Sequence, residues 1–432
     1  MARRESVEPV SRPEHRPEAE ELEPAATIRH GTPAFRRTNL ALFAAGLATF
    51  GLLYCTQPLM PEFSKHYGVS AATAALSLSL TTGVLAFAML FAGGVSDAWG
   101  RKSVMTASLL SSAVLVLLTA LAPDWHTLLL LRALLGLALS GLPAVAMTYL
   151  GEEMHADSIG LGMGLYISGT AIGGMGGRLV TGVLAEFFGW RIGVAAMAAI
   201  GLIAGLVFWR SLPPSRHHTR EPFHLRSLMK RFAAAFRDAG LPWLFAEGFL
   251  LLGAFVTLYN YIGYRLLAPP YALNQALVGA IFSVYLIGTF SSAWMGHLAG
   301  KLGRRKVLWS AFALMLLGLA LTVARPLPSI VLGLVLVTFG FFGGHSIASS
   351  WVGRRAGSNK AQASSLYLFS YYMGSSVAGA SGGLFYASHG WNGVALFVAA
   401  LTVAGLLVAL RLHRLAPLVS PSKPETEPPI PQ

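Results

Sequence analysis

Acidic residues run out early in this sequence. After Glu247 there is no Asp or Glu until Glu425, so any carboxylate chemistry in the second half falls to one side chain. Cysteine is almost missing. Cys55 stands alone inside an apolar run, which excludes intramolecular disulfides and cysteine metal sites and reads as a small buried apolar residue. Charge of either sign is scarce: 12% of the 432 residues are charged and 54% are hydrophobic, against ~25% charged in a soluble domain. Such a chain cannot cover its surface with polar groups, so lipid must cover much of it. The apolar runs hold no Ser-His-Asp set, HExxH, Walker loop or cysteine–metal spacing, which argues against an enzyme, a resident metal or a bound cofactor. The adjacent His217 and His218 have no further ligand beside them and read as a solvated linker.

What the sequence does have is long apolar runs. Segments of about 20 residues begin near Asn39, Ala74, Val104, Thr127, Gly160, Arg191, Leu241, Gln275, Val307, Pro328, Gln362 and Trp391. Twelve spans put both termini on one side. That side carries 26 of the 32 Lys and Arg and the other side carries Lys65, Arg191, Arg265 and Arg325, with Arg132 and Arg178 inside spans. The asymmetry follows the positive-inside rule and predicts cytoplasmic termini. It also explains the net charge of +13 without nucleic acid, anionic headgroups being its partner. Residues 1–38 and 414–432 are polar, rich in Pro and Glu, and predict disordered cytoplasmic tails; no cleavable signal is apparent. Residues 212–240 form the one long polar break. In it Leu225, Leu228, Phe232 and Phe236 recur at helical spacing among Arg226, Lys230, Arg231 and Arg237. That pattern suits a helix in the cytoplasmic interface or one packed on the bundle.

The chain is also duplicated. GGVSDAWGRK at 93–102 returns as GHLAGKLGRR at 296–305, so Gly93, Gly100 and Arg101 match Gly296, Gly303 and Arg304 at an offset of 203. Asp97 has Gly300 as its counterpart. LeuTyr at 165–166 and GlyTrp at 189–190 recur at an offset of 201, and LeuPhe at 42–43 recurs at 202. The expected fold is therefore all-α and membrane-spanning: twelve transmembrane helices in two pseudo-symmetric bundles, 39–211 and 241–413. An even number of spans per repeat makes the repeats parallel, with substrate bound between them near the midplane.

The GxxxDxxGRK motif after span 2, with its degenerate copy after span 8, resembles the signature of the major facilitator superfamily, over about residues 39–413. LALFAAGLATFGLLYCTQP, GLYISGTAIGGMGGRL, LFAEGFLLLGAFVTLYNYIGYR and SSLYLFSYYMGSS resemble its arabinose-efflux-permease group. The resemblance implies a secondary transporter working by alternating access. It implies that Gly93, Asp97, Gly100, Arg101, Gly296 and Arg304 form a cytoplasmic latch favouring the outward-open state; an ordinary loop ion pair is the alternative. Arg132-x-x-x-Gly136 resembles the helix-4 motif associated with proton or substrate handling, against snorkelling to the nearer membrane face. Gly169, Gly173 and Gly177 form an every-fourth glycine seam like the family's helix-5 antiporter motif. The sequence departs from that motif, with Gly174 where proline is usual and Arg178 where the last glycine is usual. Arg178 has two open readings, an anionic substrate group or headgroups at the outer face.

Glu247 is expected some six residues into span 7, and burial there suits a reversible proton carrier. Helices 1, 4, 7 and 10 line the cavity in the superfamily, which supports Tyr54, Gln57, Asn260 and His345 as cavity residues beside Arg178. The expected function is a monomeric, proton-coupled exporter of a small neutral or amphipathic solute, sugar- or drug-like, in the bacterial inner membrane. The proton gradient is its energy source, with the lipid bilayer and the small-molecule substrate as partners. An uptake or facilitated-diffusion carrier, or a lipid flippase, is the alternative.

Overall fold

The computed structural model describes residues 27–216 and 225–415, and these are helical almost throughout. The first half comprises α1 (Pro33–Tyr67), α2 (Ala71–Trp99), α3 (Arg101–Ala120), α4 (Trp125–Glu153), α5 (Ala156–Phe188) and α6 (Trp190–Ser211). The second half comprises α7 (Leu241–Leu267), α8 (Gln275–Leu302), α9 (Arg304–Val323), α10 (Leu327–Arg355) and a last helix, Lys360–His413. That last helix is two spans, α11 (360–388) and α12 (391–413), because His389 (φ −137°, ψ 17°) and Gly390 (φ 55°, ψ −139°) leave helical geometry between them. Ten of the helices among the described residues are long and apolar enough to cross a membrane. The glycine-rich α5 is not one of the ten, and Lys360–His413 counts there as one.

Helix ends follow local chemistry. Thr32 caps α1 by accepting from Phe35 N, with Pro33 opening the first turn. This start corrects the expected tail of residues 1–38. Residues 27–38 are ordered: Ile28 bridges to Met154, with Ile28 N donating to Glu153 O at 2.8 Å and His155 N to Ile28 O at 3.0 Å. Residues 1–26, most of the expected C-terminal tail (416–432) and the pair at 217 and 218 lie outside the described residues. The duplicated Gly100 and Gly303 both sit at positive φ, 93° and 96°, where each ends one helix and opens the next. Only glycine adopts that backbone freely, so both copies of the turn keep it.

Within each half, glycines let backbones touch. A Cβ at Gly173 would lie 2.1 Å from Leu47 O, joining α5 to α1. In the second half a Cβ at Gly374 would lie 2.0 Å from Phe249 O, joining α11 to α7. These paired seams use dispersion and close backbone approach, which drive association where lipid is as apolar as the side chains.

The linker helix Leu225–Phe236 packs on the second half. Phe232 and Ala235 are buried, Phe236 lies 5.7 Å from Phe245 between ring centroids, and Asn359 Nδ2 donates to Arg231 O at 2.9 Å. Leu228 is partly buried against the core, whereas Leu225, Met229 and Phe236 stay exposed.

The two halves meet along α2 against α11 and α5 against α8, with the end of α1 touching α7. Their hydrogen bonds gather near the face opposite the described chain ends. Gln57 Nε2 donates to Asn260 Oδ1 at 2.8 Å, Ser64 Oγ meets Tyr264 OH at 2.7 Å, Tyr264 OH donates to Met60 O at 2.9 Å, and Gln275 N donates to Glu186 Oε2 at 2.7 Å. At the same face Gly182 and Gly279 approach so closely that a Cβ on Gly182 would lie 2.8 Å from Gly279 Cα.

Candidate functional site

The interior holds three long ionisable side chains that sequence analysis singled out, and each has a different environment. Arg178 projects from α5 and is 2% exposed. Its Nε donates to Gln57 Oε1 at 2.6 Å, and it also donates to Gly174 O one turn back. Its guanidinium carbon lies 4.0 Å from the Tyr54 ring centre, 4.6 Å from Tyr285 and 5.3 Å from Phe282. Among the described residues no carboxylate pairs with it. The chain Arg178–Gln57–Asn260 then crosses from the first half to the second. Tyr54, Gln57, Arg178 and Asn260 therefore form one cluster. Of the two sequence readings of Arg178, the outer headgroups are excluded by its burial.

Glu247 on α7 is fully buried, and both carboxylate oxygens lack a hydrogen-bond partner. Tyr367 lies against the same stretch: a Cβ on Gly248 would sit 2.9 Å from its ring. The Tyr367 hydroxyl meets His345 Nδ1 at 2.9 Å, and His345 packs on Tyr371 with ring centres 4.5 Å apart. His345 thus belongs to a second cluster with Tyr367 and Tyr371, beside Glu247 rather than in the Arg178 cage.

Arg132 does not snorkel. It turns into the first half, fully buried, and donates to Ser77 O at 2.6 Å, Leu53 O at 2.8 Å and Leu52 O at 3.4 Å. Leu52 and Leu53 precede the point where α1 gives way to the 3-10 turn Gln57–Leu59. Their carbonyls face a break in the helical ladder, and a buried orphan carbonyl is costly. Arg132 clamps α1, α2 and α4 together at that break.

The expected ion pair between Asp97 and Arg101 forms, but it has a third member. Arg101 also holds Glu152 of α4 with two donors, Nη2 to Oε1 at 2.7 Å and Nε to Oε2 at 3.1 Å, and donates to Ser96 Oγ at 2.5 Å. Sequence analysis missed Glu152. Its signal was the Glu152–Glu153 pair ending span 4 on the same side as the motif. The contacts of Arg101 with Asp97, Ser96 and Glu152 all lie within the first half. Gly93 packs against nothing: a Cβ there would meet no atom within 4 Å, while one on Gly296 would lie 3.2 Å from Ser346 Oγ. In the second copy Arg304 donates to Ser350 Oγ at 3.0 Å, a hydroxyl standing where the first half has carboxylates.

Two six-helix halves joined at one face, with polar and aromatic clusters buried between them, define a multi-pass membrane transporter. The sequence profile of the Major Facilitator Superfamily matches residues 41–273 and again 250–432. The chain belongs to the Major Facilitator Superfamily, whose transporters sit in a membrane and bind small-molecule substrates. It is 50% identical over 392 residues to the inner membrane transport protein YnfM of Escherichia coli (strain K12), covering 91% of this chain and 94% of that one. It is also 50% identical to the MFS-type transporter YybF of Bacillus subtilis (strain 168), covering 89% and 94%. Among solved structures, the nucleoside transporter NupG superposes with a TM-score of 0.73 at 18% identity, covering 87% of this chain and 99% of that one. A bacterial homolog of the human lysosomal transporter Spinster, inward-facing and unoccupied, superposes with a TM-score of 0.70 at 13% identity, covering 88% and 96%. At those identities the structures speak for the fold alone.

Proposed function

We propose that this chain is a proton-coupled exporter of a small amphipathic solute in the bacterial inner membrane, with both termini cytoplasmic, working as a monomer by rocking its halves. The observation that carries this reading is Glu247. It is the one carboxylate in the spans of the second half, and both its oxygens lack a hydrogen-bond partner. A carboxylate held this way is stable only when protonated or when water reaches it. Opening and closing of the halves changes that access, and so loads and unloads a proton once per cycle. The Gln57–Asn260 and Ser64–Tyr264 bonds join the halves at the face opposite the described chain ends, which suits a conformation closed on its outer side. Formation of the outward-open state breaks these bonds, and the Asp97–Arg101–Glu152 cluster is then positioned to meet the second half.

The test uses purified protein in proteoliposomes with an imposed pH gradient and a panel of sugars and fluorescent drug-like dyes. Wild-type efflux rises with the gradient. Glu247→Gln retains gradient-free exchange of the same solute and loses the response to the gradient. A Glu247→Gln protein whose efflux still tracks the gradient overturns the proton role. An uptake or facilitated-diffusion carrier is recognised in the same assay by direction and by gradient independence. The apolar cavity between α5 and α8, of about 250 Å³, favours lipid handling as the second reading, checked by fluorescent-lipid translocation in the same vesicles.

A further inference from the structure

Among the described residues Arg132 and Arg178 are the buried guanidiniums of the core that meet no carboxylate, and Arg178 has the fewer acceptors. Arg132 is encircled by three backbone carbonyls, and Arg101 holds two carboxylates. Arg178 has one amide oxygen, one carbonyl and three aromatic faces. Aromatic faces attract a cation but leave its in-plane N–H donors free for an acceptor, and a guanidinium stays charged in any environment. A buried cation with donors to spare is unfavourable, and an anion placed at those donors would relieve it.

Two further observations point to where that ion comes from. Tyr285, which stacks beside Arg178, is 7% exposed and its hydroxyl has no hydrogen-bond partner. A free phenol donor thus stands beside the cage. The second observation is a cavity of about 250 Å³ between α5 and α8. Its walls include Ala171 and Met175 from α5 and Tyr285 and Leu286 from α8. Ala171, Met175 and Arg178 are spaced i, i+4, i+7 and share one helix face, and Tyr285 both lines this mostly apolar cavity and stacks on the Arg178 guanidinium.

We propose that Arg178 and Tyr285 bind the anionic head of an amphipathic substrate, a carboxylate or phosphate, while its apolar body lies in the cavity between α5 and α8. This deepens the transporter reading above and rests on it. It also replaces the neutral solute of the sequence analysis with an anion. The geometry fits planar, paired recognition of an oxyanion by a guanidinium, with the phenol as a further donor. Such a ligand occurs as a soluble organic acid or as a lipid headgroup, and the test separates them.

Detergent-purified full-length protein is melted with matched pairs: 4-phenylbutyrate against 4-phenylbutanamide, and lysophosphatidate against monoacylglycerol. One or both acids raise the wild-type Tm and their neutral partners do not. Which acid acts identifies the source. Arg178→Gln loses at least tenfold in apparent affinity, and Arg178→Lys retains part of it. Because Arg178→Gln also removes the bonds to Gln57 and Gly174 O, Tyr285→Phe is the companion variant: it deletes only the free hydroxyl and weakens the acid severalfold with its ligand-free Tm close to wild type. The proposal is overturned if neither acid shifts the wild type, if the neutral partners shift it equally, or if Arg178→Gln and Tyr285→Phe respond as the wild type does. The melts need no gradient and no Glu247, so anion binding can fail while gradient-driven efflux stands, and the reverse.

Discussion

Arg101 at the start of α3 grips Glu152 at the end of α4 through two parallel N–H donors, at 2.7 and 3.1 Å. The same guanidinium pairs with Asp97 on α2, so one side chain ties three helices at the face of the termini. Among the described residues its duplicate, Arg304, meets a serine hydroxyl and no carboxylate. Bidentate geometry with one partner buried lifts such a pair above an ordinary surface bridge, to about 1–2 kcal/mol. Glu152→Gln is therefore expected to lower Tm measurably, and a double-mutant cycle with Arg101→Gln should give a favourable coupling energy. Arg304→Gln should leave Tm within experimental scatter. Equal losses at Arg101 and Arg304 would show that the acidic partners do not matter.

The glycines of the two repeats should differ sharply in tolerance. Gly173 faces Leu47 O so closely that a methyl group would lie 2.1 Å away, and a backbone cannot yield as a side chain can. Gly173→Ala is expected to cost about 1–3 kcal/mol or more by overpacking, with Gly374→Ala in the other half alike. Gly93→Ala meets nothing and lies within helix α2, so it should be neutral or stabilising by up to ~1 kcal/mol in thermal unfolding. Fluorescence-detected gel filtration after graded heating separates the two classes.

Arg132 is a clamp in this structure. Replacing it with methionine of similar length keeps the packing but abandons the carbonyls of Ser77, Leu52 and Leu53. Each bond to a charged donor contributes about 1.5–3 kcal/mol, so Arg132→Met should unfold at clearly lower temperature. The local expectation is specific: the sole cysteine, Cys55, is fully buried next to the break, and its alkylation by a small maleimide should quicken in Arg132→Met. Unchanged Cys55 reactivity would mean the clamp does not hold the break.

Asp238 links the linker helix to the second half. Burial pushes its carboxyl upward, but the Arg355 guanidinium and the Gly240 and Leu241 N–H groups, both at 2.8 Å, outweigh that and hold it below the ordinary carboxylate range. A carboxyl depressed by folding stabilises the fold above its unfolded value and loses that contribution as pH falls through the folded one. Asp238→Ala should thus lower Tm at neutral pH, and the gap from wild type should close in acid, below the usual carboxylate range. A gap that stays constant down to low pH would assign the effect to packing.

Much of this molecule is legible in a single chain because a bilayer enforces local rules. Each span must satisfy its own backbone, so spans appear as apolar runs, and repeats appear as recurring turns such as Gly100 and Gly303. The glycine seam at Gly169, Gly173 and Gly177 was equally visible, since a stripe every fourth residue marks one helix face. That Arg132, Arg178 and Glu247 lie inside apolar runs was visible too, but the runs left open whether the two arginines turn inward or reach a membrane face.

Their partners did not follow. Whether Arg132 meets carbonyls, Arg101 finds Glu152, or Arg178 finds no carboxylate depends on how helices far apart in sequence rotate against one another. That rotation is chosen by packing summed over whole faces, and no local signal carries it. The sequence alone therefore determined the twelve spans, the duplication and which charges fall inside spans. The tertiary structure decided which of those charges turn inward and which partners each one meets, because only the packing of whole helix faces sets them side by side.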